Sequence, residues 1–498
     1  MRWNIICAGS AGHGSNFASK IISQGIVDNG YYVFASREYE SRIRGGHNYN
    51  IITFSDEPIS SNSVDIDILI ALDDLSESVH KNQLKNGAIV IKEQKNNIKA
   101  IGQTFKILGF DFLVLDNILK KLTNYNENVK EAKLEYDLEI RSLKLPKLQI
   151  SKEITLLNGS DGIAYGAVQS GLDFYYSYPM TPATGLLFSL DRDEKKSKYV
   201  TIQLESEIAV VNAAIGSAIA GAKSMVGTSG GGFDLMTEAL SLAGGAQIPL
   251  VMYLAQRSGP STGAPTRTGQ EDLNMARHSG HGEIIRLIVA PGDPTEAAEK
   301  TSEIFYLTQK YELPGIILSD KHLAESLYSS TNKVKIIESK KRIKWPARYN
   351  SYIADDRKIA NDSMENMNNV AEKRKEKFNK LLNEIDTLVP FEIYGKKNSK
   401  NAIIGWGSTK GAILDATAEL DCQFIQLLYL EPFSKKIKTE IEKAENIIIV
   451  ENNSTSMLSS LITEKTGILI NEKNKILKYD GRPFMYESLK SEIKKRLK

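Results

Sequence analysis

The chain has 498 residues, a length that predicts about three domains. Its 63 Lys and Arg residues nearly balance its 61 Asp and Glu residues, and a net charge of +2 argues against nucleic acid as the main partner. Cys7 and Cys422 are the only cysteines, which excludes a disulfide framework and any iron–sulfur cluster bound by four cysteines of this chain. Two lone cysteines and the lack of a long apolar segment predict a cytoplasmic location.

The first part of the chain alternates short apolar runs with helical stretches, which is typical of an α/β domain. Strands are predicted at residues 4–8, 31–35, 49–54, 66–71, 88–91 and 112–115. A charged helix is predicted over residues 126–145, and Pro146 ends it. We therefore predict a first domain over residues 1–150 that includes this linker helix.

Two polar segments of this domain follow predicted strands. The glycine-rich segment 9–14 (GSAGHG) opens a helix, where glycines let a ligand approach the backbone, although a tight turn is the simpler explanation. Its glycine order differs from the dinucleotide fingerprint G-x-G-x-x-G. The second segment places Arg42 and Arg44 before Gly45 and Gly46. These arginines suit either a phosphorylated ligand or a salt-bridged loop at a subunit contact.

A second α/β block is predicted over residues 151–330, and it carries most of the candidate site. Its strands are predicted at residues 174–177, 199–203, 224–228, 249–254, 284–289 and 315–319. These strands are mostly apolar runs, as expected for a parallel sheet that is covered on both faces. Ligands bind at the carboxyl ends of such strands, so the segments that follow the strands hold the candidate residues.

Three of those segments present polar groups. In the sequence YPMTP at residues 178–182, two prolines fix the backbone around Thr181 and present its hydroxyl. The three glycines in TSGGGF at residues 228–233 indicate either a backbone pressed against a ligand or a flexible turn. Arg257 follows the next strand, where a guanidinium can bind a carboxylate through two parallel hydrogen bonds or serve a structural role.

Two carboxylates precede the helix that lies between these strands. Glu205 and Glu207 come before a stretch that is otherwise apolar and rich in small residues, so the first turn of this helix should lie at the edge of a core. A glutamate in that position can share a proton with a ligand nitrogen. Helix capping through the macrodipole accounts for the same two residues.

The remaining chain divides into two parts. Residues 331–400 are densely charged and predict a surface excursion with one amphipathic helix and a linker, since interspersed acidic residues favour a solvated surface over a nucleic-acid patch. Residues 401–498 have predicted strands at 402–406, 424–430 and 447–450, which indicate a third, small α/β domain. His278 and His281 lie three residues apart without a third ligand near them, so no metal site is predicted in this chain.

Taken in chain order, these segments resemble the α subunit of 2-oxoacid:ferredoxin oxidoreductases, in the form whose γ domain is fused in front. The resemblance covers nearly the whole chain. Residues 36–48 resemble that family's γ-domain signature, and residues 178–182 resemble its Y-P-[ILM]-T-P motif. Further similar segments lie at residues 205–216, 228–233, 256–263, 405–411, 451–453 and 479–484.

This resemblance implies a fold and an activity. It implies three α/β domains, of which the central one is a thiamine-diphosphate-binding fold of the pyrimidine type and the last resembles the transketolase C-terminal domain. The implied reaction is the CoA-dependent oxidative decarboxylation of a 2-oxoacid, such as pyruvate or 2-oxoglutarate, to acyl-CoA and CO₂. The electrons would pass through iron–sulfur clusters to ferredoxin.

The same resemblance implies roles for individual residues. Glu207 would meet the aminopyrimidine ring of the cofactor, and Thr181 and Arg257 would hold the substrate carboxylate. The other implied positions are Tyr178, Pro179, Ser229 and Gly230 at the cofactor, and Arg42, Arg44, Gly45 and Gly46 at CoA or a subunit interface.

The chain also departs from the family pattern. It lacks the G-D-G motif of the cofactor's diphosphate site, and the nearest segment is GDP at residues 292–294. Mg²⁺ and the iron–sulfur cluster are therefore expected in a β subunit, which would form a heterodimer or a dimer of heterodimers with this chain. Two alternatives are a self-sufficient transketolase-like enzyme, which needs a diphosphate motif in this chain, and a non-catalytic subunit that organises the complex.

Overall fold

The computed structural model describes residues 1–40, 45–93, 96–148, 153–194, 198–340, 352–357 and 359–497. The strands form three sheets, and the chain divides into two compact units. The first unit comprises Met1–Asn158, Glu325–Asn332 and Phe484–Leu489, and the second comprises Gly159–Ala324, Lys333–Pro483 and Lys490–Lys498. The predicted domain boundaries at residues 150, 330 and 400 stay predictions.

The elements follow one another in a mixed α/β order. The strands are β1 (Arg2–Ala11), β2 (Tyr32–Glu38), β3 (Gly45–Ser55), β4 (Ile66–Ala71), β5 (Leu84–Lys92), β6 (Thr155–Leu157), β7 (Phe174–Ser177), β8 (Val200–Gln203), β9 (Ser224–Thr228), β10 (Leu250–Gln256), β11 (Leu287–Val289), β12 (Pro314–Asp320), β13 (Leu327–Ser330), β14 (Phe391–Gly395), β15 (Asn401–Trp406), β16 (Gln423–Leu427), β17 (Tyr429–Glu431), β18 (Asn446–Glu451) and β19 (Lys475–Leu477). The helices are α1 (Ser15–Asp28), α2 (Asp74–His80), α3 (Asn97–Ile107), α4 (Phe112–Leu119), α5 (Tyr125–Leu138), α6 (Gly159–Gln169), α7 (Thr184–Glu194), α8 (Glu207–Ile219), α9 (Gly230–Leu235), α10 (Thr237–Ala246), α11 (Leu273–His278), α12 (Pro294–Tyr311), α13 (Lys321–Glu325), α14 (Met364–Ile385), α15 (Thr409–Thr417), α16 (Lys435–Ile441), α17 (Met457–Thr466) and α18 (Tyr486–Lys494).

The first unit is built on a mixed sheet with the strand order β5-β4-β1-β3-β2-β13-β6. Strands β1, β4 and β5 are parallel, whereas β3 runs antiparallel to both β1 and β2. The rings of Trp3, Tyr31 and Phe54 pack together in its core, with centroids 5.3 to 5.9 Å apart. Strand β13 comes from far downstream in the chain, yet it pairs antiparallel with β2 and with β6.

One predicted strand of this unit was wrong. Residues 112–115 belong to helix α4, because the Asp111 carboxylate accepts a hydrogen bond from the Leu113 backbone N at 2.9 Å and so caps a first helical turn. Leu115 and Leu119, four residues apart, are buried on one side of the helix, whereas Leu113 is 60% exposed. A run of four apolar residues has no period that separates a strand from a buried helix turn.

The central sheet lies in the second unit and has the order β17-β11-β12-β10-β9-β7-β8. All of its pairs are parallel except the edge pair of β11 and β17. Every residue of β9, β10 and β12 is buried, as the apolar runs in the sequence predicted. The predicted parallel sheet is confirmed, and it fixes the direction of each strand end at the candidate site.

The third sheet also lies in the second unit and has the order β14-β16-β15-β18-β19. Its first helix, α15, carries a buried lysine, Lys410, whose ammonium group lies 2.5 Å from Asp293 Oδ2 and is also paired with Glu296. Glu296 accepts further hydrogen bonds from Gln426 Nε2 and from the Gly292 backbone N, each at 2.7 Å. Within the described residues, no helix combines the length and the apolar character that a membrane crossing requires.

Candidate functional site

The carboxyl ends of four neighbouring strands, β8, β7, β9 and β10, meet at one edge of the central sheet. Because these strands are parallel, the segments that follow them lie side by side. The candidate residues of 178–182, 205–207, 228–232 and 257 all belong to these segments. The topology therefore brings together what the sequence distributes over about 80 residues.

Glu207 is the first residue of α8, and its side chain turns inward. The Ser206 hydroxyl caps the helix by accepting a hydrogen bond from the Ala209 backbone N at 3.3 Å. Glu207 is only 5% exposed, whereas Glu205 is exposed. A methyl group at Gly232 would lie 2.9 Å from Glu207 Oε1 and 2.1 Å from Thr228 Oγ1. The Glu207 carboxylate therefore lies directly against the glycine turn that follows β9.

That glycine turn, residues 229–232, consists of the N-cap Ser229 and the first turn of α9. Ser229 is fully buried, and its hydroxyl has no hydrogen-bond partner among the described residues. Gly230 faces a carboxylate, because a methyl group there would lie 2.7 Å from Asp272 Oδ2. Gly231 is exposed, and a methyl group would meet only the Ser261 carbonyl at 3.7 Å. Two of the three glycines thus leave room for acidic side chains.

Arg257 and Thr181 are brought together as the sequence suggested, although through the backbone. Arg257 Nη1 donates to the Thr181 carbonyl oxygen at 2.7 Å. Its Nε is buried and has no hydrogen-bond partner within the described part of the chain. Burial lowers the pKa of Arg257, and the attraction of Asp272 opposes that shift. The Nη1 group of Arg257 is thus held by the Thr181 carbonyl, and the Nε group is left for a further hydrogen-bond acceptor.

Tyr178 and Pro179 form the open side of this arrangement. Tyr178 is 38% exposed and Pro179 is also exposed, while Met180 Sδ lies 3.9 Å from Thr228 Oγ1. Thr181 is half-buried behind them. A ring and a proline are thus exposed in the segment that directly follows β7.

Sequence reasoning missed Asp272. The loop after β10 folds back and places this residue next to the end of β10. Ser258 N donates to the Arg267 carbonyl at 3.3 Å, and the Asp272 backbone N donates to Gln256 Oε1 at 2.9 Å. Burial raises the pKa of Asp272 to about 7, helped by Glu271 and opposed by Arg257. In the sequence, an aspartate directly before a short helix reads as an N-cap, but this side chain makes no capping hydrogen bond.

The residues named for CoA or a subunit interface lie elsewhere, in the first unit. Arg42 and Arg44 fall outside the described residues. Gly45 begins β3, and Gly46 has a φ of 72°, which favours glycine. A methyl group at Gly46 would also collide with the Glu40 carboxylate, at 2.7 Å from Oε2. Gly46 therefore has a local structural role, and the ligand role of both glycines stays a prediction.

The second-unit site leaves buried polar groups for a ligand to satisfy. Three buried polar atoms lack hydrogen-bond partners among the described residues, namely Ser229 Oγ in the glycine turn, Asp272 Oδ2 against Gly230, and Arg257 Nε directly after β10. Orphaned buried donors and acceptors are costly unless a ligand or water satisfies them. The Glu207 carboxylate adds a group that can hold a proton for a ring nitrogen.

Comparison with known proteins finds relatives along the whole chain. Residues 4–168 match the family model described as pyruvate ferredoxin/flavodoxin oxidoreductase, and residues 165–388 match the model of its thiamine-diphosphate-binding part. The 2-oxoacid:ferredoxin oxidoreductase subunit alpha from Sulfolobus sp is 29% identical over 100% of this chain and 97% of its own length. The 2-oxoglutarate synthase subunit KorA from Archaeoglobus fulgidus is 36% identical over 35% of this chain and 51% of its own length.

A solved structure shares the fold. It is the 2-oxoglutarate:ferredoxin oxidoreductase from Magnetococcus marinus with 2-oxoglutarate, coenzyme A and succinyl-CoA bound, which matches over 100% of both chains with a TM-score of 0.89 and 23% identity. The predicted α/β class with a thiamine-diphosphate-binding central domain is confirmed. The two matched models together span most of the sequence, and the full-length relative is similar throughout, so this chain belongs to the 2-oxoacid:ferredoxin oxidoreductase family as an α subunit.

Proposed function

We propose that this chain, together with a β subunit, converts 2-oxoacids and CoA to acyl-CoA and CO₂ and passes the electrons to ferredoxin. The observation that supports this most directly is the position of the Glu207 carboxylate, which is buried against the glycine turn at the same sheet edge from which Arg257 follows β10. The β subunit is proposed to supply Mg²⁺, the diphosphate motif and the iron–sulfur cluster. The cytoplasmic location stays a prediction that rests on the two lone cysteines.

Different residues of this chain are proposed to have different roles at the cofactor. Bound thiamine diphosphate supplies the electron sink that decarboxylation requires. Glu207 would hold and move a proton at its carboxyl oxygen when the cofactor is bound. The Ser229 hydroxyl, which is buried without a partner in the described chain, is free to hydrogen-bond the cofactor. Gly230 and Gly232 have no side chain, which leaves room for the Asp272 and Glu207 carboxylates at this turn.

Arg257 is proposed to orient the substrate. Its Nη1 is anchored on the Thr181 carbonyl, which fixes the guanidinium plane. The free Nε then points one donor at a 2-oxoacid carboxylate, and a charge-assisted bond of this kind is stronger than a neutral one. Tyr178 and Pro179, which are exposed after β7, are proposed to contact the cofactor.

The test compares two glutamates two residues apart. Glu207→Gln keeps the shape of the side chain and removes its acid–base capacity, so turnover in the assembled complex should fall roughly 10²- to 10⁴-fold. Glu205→Gln removes an exposed carboxylate and should change turnover far less. The measurement is 2-oxoacid-dependent and CoA-dependent reduction of a viologen dye by the complex, with thiamine diphosphate saturating.

Three outcomes separate the proposal from its alternatives. Full activity in Glu207→Gln would favour a subunit that only organises the complex. A sensitive Glu205 and an insensitive Glu207 would mean that the proton-holding carboxylate is misassigned. Turnover by this chain without any β subunit would favour a self-sufficient transketolase-like enzyme.

A further inference from the structure

Asp272 is an acidic residue with an unusual position for its local sequence. It precedes α11, where an aspartate ordinarily caps the helix, yet its side chain makes no capping hydrogen bond. Its Oδ2 is buried without a hydrogen-bond partner among the described residues and faces Gly230 of the glycine turn. The carboxyl group therefore does not cap α11, and it faces the proposed site instead.

The loop between Arg257 and Asp272 is built to keep these two residues together. Ser258 and Ala264 form an isolated bridge, and Ser258 Oγ donates to the Thr268 carbonyl at 3.1 Å. The Asp272 backbone is held by Gln256, the residue directly before Arg257, through a bond of 2.9 Å. Gln256 is fully buried, so this anchor is rigid. Asp272 is thus positioned from the same strand end that positions Arg257.

The charges around Asp272 decide which form it takes. Arg257 attracts its carboxylate, whereas Glu271 on its own segment and Asp234 of α9 repel it. If a substrate carboxylate binds Arg257, the guanidinium that attracts Asp272 must also serve the substrate. Two carboxylates then lie close to one cation in a poorly solvated place. Two carboxylates cannot both stay ionised at low cost beside a single guanidinium.

We infer that Asp272 is a positioning residue that takes up one proton from solvent when the carboxylate of a 2-oxoacid binds Arg257. No covalent bond changes in this step: the proton adds to a carboxylate oxygen of Asp272, and Arg257 transfers its charge partnership to the substrate. The neutral acid then has an O–H donor beside Gly230. This inference rests on the proposed function, because it assumes that Arg257 receives the substrate.

The direction of the pH dependence follows from the pKa of Asp272, which burial raises to about 7. Below that pH the carboxyl is already neutral, and substrate binding needs no proton. Above it, each pH unit should weaken binding about tenfold, because a proton must be taken from solution. Asp272→Asn imitates the neutral form, so this dependence should disappear in the variant.

The experiment uses the assembled complex with thiamine diphosphate and oxamate, an unreactive isostere of a 2-oxoacid. Calorimetric titration at about pH 8, in two buffers of different ionisation enthalpy, gives the number of protons taken up per oxamate bound. Wild-type complex should take up about one proton, and Asp272→Asn should take up none and bind more tightly at this pH. Circular dichroism of Asp272→Asn verifies its fold.

Glu271→Gln is the matched control. Its carboxylate is already satisfied, since Oε2 accepts the Gly259 backbone N at 2.9 Å. Glu271→Gln should keep the proton uptake, with the midpoint at lower pH because a repelling charge next to Asp272 is removed. Proton uptake that persists in Asp272→Asn, or that is absent from the wild type, would overturn the inference, as would oxamate affinity that does not respond to Arg257→Ala. Proton uptake without any 2-oxoacid turnover would refute the proposed function and leave the proton coupling standing.

Discussion

At the residue scale, the three glycines of the turn after β9 differ in what a side chain would meet. Gly232 has Thr228 Oγ1 and the Glu207 carboxylate within 3 Å of an added methyl group, whereas Gly231 is exposed and nearly open. Both lie in the same short helix, α9, and neither has a positive φ. They therefore form a matched pair in which only the packing differs.

We expect Gly232→Ala to destabilise the chain by about 1–3 kcal/mol, because an extra methyl group is forced into a filled space. Gly231→Ala should be neutral or stabilising by up to about 1 kcal/mol, since alanine is the better helix former. Chemical denaturation of the two variants measures both values. Equal stabilities would show that the Glu207 side chain can move away from the turn at little cost.

The site residues that sequence predicted share one property, which is that each follows the end of a strand of the central sheet. Thr181, Glu207, Ser229 and Arg257 were found because apolar runs mark the strands and parallel topology places their carboxyl ends together. Asp272 was missed because its sequence context is that of an ordinary N-cap. Its role depends on the fold of the 16-residue loop between β10 and α11, which no periodicity describes.

At the element scale, the ion pair between α15 and α12 holds the third sheet to the helix that covers the second. Lys410 is buried with Glu296 and Asp293, and their attraction outweighs desolvation and raises its pKa well above the usual value. Lys410 is therefore charged throughout the neutral range. Exposed pairs such as Lys443 with Glu440 lie on the same unit and offer a comparison.

Lys410→Met should cost about 3–5 kcal/mol of stability near neutral pH, because it leaves Glu296 buried without its cation. Lys443→Met should cost less than about 1 kcal/mol. Burial raises the pKa of Glu296, so the folded variant binds a proton more readily than the unfolded chain. The penalty should therefore shrink as the pH falls, which denaturant titrations at several pH values will show. A penalty that grows toward acid would contradict this account.

Helix α4 shows where sequence prediction stops at this scale. The strands of the central sheet were located from runs of β-branched and aliphatic residues that the sheet buries on both faces. The run at residues 112–115 has the same composition and became helical because Asp111 caps it and Leu115 and Leu119 share a buried side. A short apolar run has too little periodicity to distinguish a strand from a helix, so the flanking residues determine which one forms.

At the scale of the whole molecule, the chain carries only two cysteines, and both are buried as free thiols. A cluster bound by four cysteines cannot form within it. The purified chain should therefore show no visible absorbance and no 2-oxoacid-dependent dye reduction. Assembly with its β subunit should give a brown, active complex. Absorbance spectra and dye assays before and after assembly measure this, and iron retained by the isolated chain would contradict it.

The downstream origin of β13 has a consequence for how the chain is made. Strand β2 pairs with β13, and about 290 residues separate them in the sequence. At ribosomal speeds of about 5–20 residues per second, that edge of β2 waits roughly 15–60 s for its partner. During this interval the nascent first unit presents unpaired backbone groups to other chains. Slow translation downstream of β2 should therefore lower the yield of native protein, even though every contact in the finished molecule is unchanged.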